Sequence, residues 1–143
     1  MNKYLLLIFL LVASCSSSSA ELVVESDSPI VQGKSLTENV GIETLGGVFT
    51  PLLESGCPLP CELAQVFSTA EDNQEQITIK LIRGLSRTAG EGVNLGKYKI
   101  SGIAPSPRGE PQIKVVFGAS NGTIWLSAKD TSGKSRLKVS KVE

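Results

Sequence analysis

The 143 residues allow one domain of ordinary size, and 41% apolar content suffices to build a single core. Lys plus Arg and Asp plus Glu balance at 14 each with no basic run, which excludes the electrostatic footprint of a nucleic-acid binder. Histidine is absent, so the commonest general base and the usual serine triad are both ruled out.

In chain order, Met1-Asn2-Lys3-Tyr4 leads into the apolar run Leu5 to Ala13. The run falls short of the roughly 20 residues a spanning helix needs, and with one lysine ahead of it residues 1–14 read as a secretory signal. Val12-Ala13-Ser14-Cys15 resembles the bacterial lipoprotein signal, which implies that Cys15 is acylated after cleavage and holds the chain on a membrane. Ser18-Ser19-Ala20 offers an ordinary signal-peptidase site instead, and that route gives a secreted or soluble periplasmic protein. Ser16, where some lipoproteins carry an aspartate, resembles those sent to an outer membrane. The expected location is therefore the bacterial cell envelope, on the periplasmic face, with the outer membrane ahead of the inner. Residues 15–34 are rich in serine and acids with little periodicity and are expected to form a flexible tether. A coil of about 18 residues spans roughly 25 Å.

The folded domain is expected over residues 35–143. From Val40 onward apolar residues recur with period two between turn residues, an all-β pattern. Predicted strands are Val48–Leu53, Ala64–Thr69, Gln76–Arg83, Gly96–Ile103, Gln112–Phe117, Thr123–Ala128 and Ser135–Val142, with Leu36–Val40 ahead of them. Short strands at this spacing indicate an antiparallel sandwich or barrel. Asn121-Gly122 reads as a hairpin turn in preference to a glycosylation sequon.

With Cys15 assigned to the lipid, Cys57 and Cys61 in Cys57-Pro58-Leu59-Pro60-Cys61 remain as a pair, either bridged or as two free thiols. A zinc site would need two more ligands than they supply, so no metal is expected. The three aspartates, Asp27, Asp72 and Asp130, stand apart from one another. Gly33-Lys34-Ser35 and Gly133-Lys134-Ser135 mimic the end of a phosphate loop, but Ser28 and Ala128 stand where its upstream glycine is required. No nucleotide, cofactor or catalytic role is expected.

Four ordered blocks carry a family resemblance. They are Gly41-Ile42-Glu43-Thr44-Leu45-Gly46-Gly47-Val48-Phe49-Thr50-Pro51-Leu52, then Gln65 to Gln74, then Pro105 to Ile113, then Leu126-Ser127-Ala128-Lys129-Asp130. Together they are similar to the substrate-binding domain of the heat shock protein 70 (DnaK) chaperones. The resemblance implies a β-sandwich of seven or eight strands whose loops form a channel for an extended segment of unfolded protein. It places Ile42, Phe67, Ile77, Ile79 and Ile113 around a central apolar pocket with Val48 close by. Leu45 and Ala70 fall where two side chains arch over the peptide, and Thr44 and Gln74 where loop groups hydrogen-bond its backbone. Ile77 and Ile79 share one face of a strand on period two alone.

The family's leucine-rich linker from its ATPase domain is replaced here by Ile30-Val31-Gln32-Gly33-Lys34-Ser35, and the chain stops at Glu143 where the family continues into a helical lid. The expected function is thus ATP-independent binding of extended hydrophobic segments with fast exchange, by a membrane-tethered holdase or capture module. The alternative is an interaction module whose repurposed loops dock one specific envelope protein.

Overall fold

The computed structural model describes residues 19–24, 31–32, 34–120 and 123–142. The signal segment, Cys15, Gly33 and the Asn121-Gly122 turn lie outside the described residues. Eleven strands follow in order: β1 (Ala20–Val24), β2 (Val31–Gln32), β3 (Ser35–Leu36), β4 (Asn39–Thr44), β5 (Val48–Leu53), β6 (Cys61–Phe67), β7 (Gln76–Gly84), β8 (Val93–Ser101), β9 (Ile113–Ser120), β10 (Thr123–Asp130) and β11 (Lys138–Lys141). They make two antiparallel sheets, β1-β10-β9-β6 and β11-β8-β7-β4-β5, and the small hairpin β2-β3. This is the all-β sandwich that the periodicity predicts.

Alternation builds the core directly. On β9 the residues Ile113, Val115, Phe117 and Ala119 are buried, and the register sets Val115, Phe117 and Ala119 opposite Ala128, Leu126 and Ile124 of β10. Ile79 and Leu81 on β7, with Tyr98 and Ile100 on β8, supply the facing layer. Each such side chain contributes roughly 1.5–3 kcal/mol by leaving water. Tyr98 is fully buried, and its hydroxyl donates to the Leu95 carbonyl at 2.8 Å, so no polar group is stranded there.

Several predicted boundaries are corrected. Ala20–Val24, expected inside the flexible tether, forms β1 and pairs with β10 from Ala20↔Ala128 to Val24↔Ile124. The segment alternates like any strand: Val24 is buried, and Ala20 and Leu22 pack against the core. The folded part also begins before Ser35, because β2 pairs with β3 and the Lys34 carbonyl accepts the Leu59 N–H at 2.8 Å. The expected Leu36–Val40 strand divides into β3 and the start of β4, and β4 continues to Thr44. β6 begins at Cys61 rather than Ala64, since Cys61, Glu62 and Leu63 pair with Ala119, Gly118 and Phe117. Before β11, Ser135 is held in the loop, where its hydroxyl accepts the Ala104 N–H at 2.9 Å.

Candidate functional site

Three loops meet at one end of the sandwich, and each is braced by its neighbours. The β4–β5 connection, Leu45-Gly46-Gly47, turns on two glycines with φ of 82° and 72°, a region closed to most side chains. Its Gly47 carbonyl accepts the Ala89 N–H at 2.9 Å, and Val48 bridges to Thr88. The β7–β8 loop that carries those partners folds back to bury Ala89 with Phe49 and Ile82.

The β6–β7 loop is tied from within and from outside. The Gln74 side chain accepts the Ala70 and Glu71 N–H groups at 3.0 and 3.2 Å and donates to the Gln76 carbonyl at 2.7 Å. The β8–β9 loop then grips it: the Arg108 N–H donates to the Asp72 carboxylate at 2.9 Å, the Gly109 N–H to the Thr69 carbonyl at 3.0 Å, and the Asn73 N–H to the Ser106 carbonyl at 2.9 Å. Pro105-Ser106-Pro107-Arg108-Gly109 thus serves as a brace for the loop that carries Ala70. Asp130 organises the next connection, with its carboxylate accepting the Ser132 N–H, the Ser132 hydroxyl and the Ser135 N–H at 2.8, 2.7 and 3.1 Å. Burial pushes the Asp130 carboxyl up, but the bonds from Ser135 and Ser132 outweigh it and hold the group below the ordinary aspartate value.

Between the braced loops the five-stranded sheet opens. β7 pairs with β8 along its length from Gln76 to Arg83, whereas its pairing with β4 runs from Asn39↔Gly84 only as far as Ile42↔Leu81. β4 continues past that point to pair with β5 through Thr44↔Val48, so β4 and β7 part company there. The gap is a cavity of about 600 Å³ lined by Ile42, Glu43, Thr44, Leu45, Phe67, Ser68, Thr78 and Ile79. That volume lies within the roughly 300–1,000 Å³ of ligand sites. An ion pair between Lys80 and Glu43 spans the two diverging strands.

The structure gathers five of the sequence-predicted residues around this cavity: Ile42, Thr44, Leu45, Phe67 and Ile79. Leu45 stands at its lip 98% exposed, while Ile42 and Ile79 are buried in its wall. Ile113, fully buried, is the cross-strand partner of Phe67 and supports the wall from the core. Phe67 also meets Phe117 edge to face, with ring centroids 6.4 Å apart. Ile77 packs against the same core, one alternation before Ile79. Val48 shares the hairpin face of Thr44 but lines a separate cavity with Leu85 and Arg87. Ala70 is exposed on the braced loop, and Gln74 spends its side chain inside that loop. The Thr44 hydroxyl likewise bonds locally, to Thr50 at 3.1 Å and to the Val48 carbonyl at 3.3 Å. Sequence reasoning missed Glu43, Ser68 and Thr78 as lining residues. Alternation put Thr78 on the face away from Ile79, and only the end of the β4–β7 ladder brings it to the gap.

Cys57 and Cys61 lie with their Cα atoms 6.4 Å apart and their sulfurs within bonding distance, at the far end of the sandwich. That Cα separation is one a disulfide accepts.

A family model described as Hsp70 protein matches residues 30–142. The chain belongs to the Hsp70 family. Its two sheets are the β-sandwich of an Hsp70 domain, and membership supports a chaperone-like role in binding peptide segments. The Hsp70 match starts after β1, so the strand that extends the four-stranded sheet lies outside the family region.

Proposed function

We propose that the domain binds extended hydrophobic polypeptide segments in the gap between β4 and β7, without ATP, as a holdase or capture module held in the cell envelope by its N-terminus. One observation carries the reading: the sheet stops pairing at Ile42↔Leu81 and leaves an open cavity walled by Ile42, Phe67 and Ile79 beneath an exposed Leu45. The cavity is open in the folded domain, which supports a reading in which a segment enters without a nucleotide-driven step.

An extended chain presents backbone groups that any sequence can offer, while one apolar pocket selects an aliphatic side chain. Burying one leucine or isoleucine contributes roughly 1.5–3 kcal/mol, and micromolar binding requires roughly 8. Flanking contacts along the braced loops must supply the remainder. The envelope placement rests on the apolar run after Lys3 and on Cys15, which lie outside the described residues.

Titration with a fluorescein-labelled, leucine-rich heptapeptide tests the proposal. Saturable binding that is abolished by Ile79→Asp, and weakened by Leu45→Asp at a site with no folded contacts to lose, supports it. A flat titration removes it.

A second reading, a module that docks one folded envelope partner, is favoured by a different surface. On the outer face of the four-stranded sheet Val23, 56% exposed, sits beside Trp125, and Val66 on β6 is 49% exposed. Crosslinking in intact cells separates the two readings: one dominant partner favours docking, and a spread of misfolded chains favours capture.

A further inference from the structure

β1 has a direction, and that direction orients the domain. Ala20 stands opposite Ala128, two residues from the Asp130 turn, and Val24 stands opposite Ile124 at the other end of β10. On the same sheet Phe67 and Asp130 both pair with Ile113, so the Ala20 end of β1 is the end where the β6–β7 loop and the cavity lie. The chain therefore enters the sandwich at its cavity end and runs away from it. Only five peptide links separate Cys15 from Ala20, a reach of at most about 18 Å. β7, nine residues long, spans roughly 30 Å and sets the length of the sandwich.

The surface beside the entry point is basic. Lys129, Lys134, Arg136 and Lys138 are all exposed on and around the β10–β11 connection. The acid among them, Asp130, is buried and engaged by Ser132 and Ser135. Two exposed acids stand beside these four cations, Glu21, paired with Ser127 on β10, and Glu110, which lines a pocket with Lys134; Glu71, Asp72 and Glu75 lie on the β6–β7 loop. Clustered exposed cations next to an anchor suit anionic lipid headgroups.

We infer that β1 acts as an orienting strap: docked on β10, it holds the lipid-anchored domain with its β10–β11 connection against an anionic membrane surface and its peptide cleft turned toward the bilayer. The segments it takes are then hydrophobic stretches of chains lying at that surface, rather than chains free in the surrounding solution. The inference rests on the peptide-binding reading for its clientele and on acylation of Cys15 for its anchor. A tether that remained flexible as far as Lys34 would leave the domain free to tumble. β1 removes that freedom.

The test uses the mature chain purified from membranes and placed in phosphatidylcholine vesicles containing phosphatidylglycerol and a headgroup acceptor dye. A fluorescent amino acid replaces either Arg108 at the cleft end or Glu54 at the far end, both exposed. Energy transfer to the bilayer is expected to be greater from position 108 than from position 54. Leu22→Asp, which releases β1 from the core, is expected to abolish that difference while the affinity for free heptapeptide stays unchanged. Omitting phosphatidylglycerol is expected to lower transfer from position 108. Equal or reversed transfer in the parent, a difference that survives Leu22→Asp, or an unacylated Cys15 by mass spectrometry overturns the inference. Heptapeptide titration reads the cleft separately: a transfer difference without peptide binding overturns the proposed function and the clientele together.

Discussion

Leu45 separates binding from folding more cleanly than any other residue at the site. It is 98% exposed, so Leu45→Ala removes no contact within the folded domain. Surface changes of this kind stay within about 0.5 kcal/mol, which moves the thermal midpoint by no more than about 4 °C. The same side chain lines the cavity with Phe67 and Ile79, where a bound segment would cover it. Truncation to alanine deletes three carbons at about 0.8 kcal/mol each when fully covered, an upper value near 2.4 kcal/mol. A peptide that covers half of the side chain gives about 1.2 kcal/mol, a weakening of roughly eightfold. Fluorescence anisotropy with the labelled heptapeptide, run beside a thermal melt, reads both numbers. An affinity within about twofold of the parent would refute the reasoning, as would a loss of binding that merely tracks a loss of fold.

Three further outcomes follow from the same geometry. The folded Asp130 carboxyl is depressed, so its stabilisation is complete above the ordinary carboxylate range and is lost as pH falls through the lowered value. Asp130→Asn should therefore cost about 1.5–3 kcal/mol near neutrality, with the gap to the parent closing in acid; urea titrations at several pH values check this, and a pH-independent gap contradicts it. A Cβ on Gly118 would sit 2.2 Å from the Trp125 ring, so Gly118→Val should displace the single tryptophan. A red-shifted emission and a loss of about 1–3 kcal/mol are expected, and unchanged emission is the contrary result. Bridging Cys57 to Cys61 closes a loop of about five residues, worth about 2 kcal/mol in the chain-entropy account. The double serine variant should lose about that much, and identical melts with and without reductant would show that no bridge contributes.

How far the sequence reached varied with how local the cause was. Val48–Leu53 and Gln76–Arg83 emerged as β5 and nearly all of β7, because alternation between flanking turn residues is a local property. β8 begins at Val93 rather than Gly96, since a register shift between Leu81 and Ile82 lets the strand run on through Asn94. β1 was hidden among serines and acids: five residues carry too little pattern to outweigh their neighbours, and only the open edge of β10 gives them a partner. At the site, the common face of Ile77 and Ile79 was legible from period two. The opening itself was not, because it depends on where β4 leaves β7, a matter of pairing between distant segments. For the same reason the engagement of Gln74 within its own loop could not be read from its position.

The central claim is that an extended apolar segment rests between β4 and β7. Amide nuclear magnetic resonance of the labelled domain during heptapeptide titration tests it most directly. Resonances of Ile42 to Leu45, of Phe67 and Ser68, and of Thr78 and Ile79 should shift along one saturating curve while the Trp125 indole signal stays fixed. Shifts confined to the face around Trp125, or no shifts at all, would contradict the account.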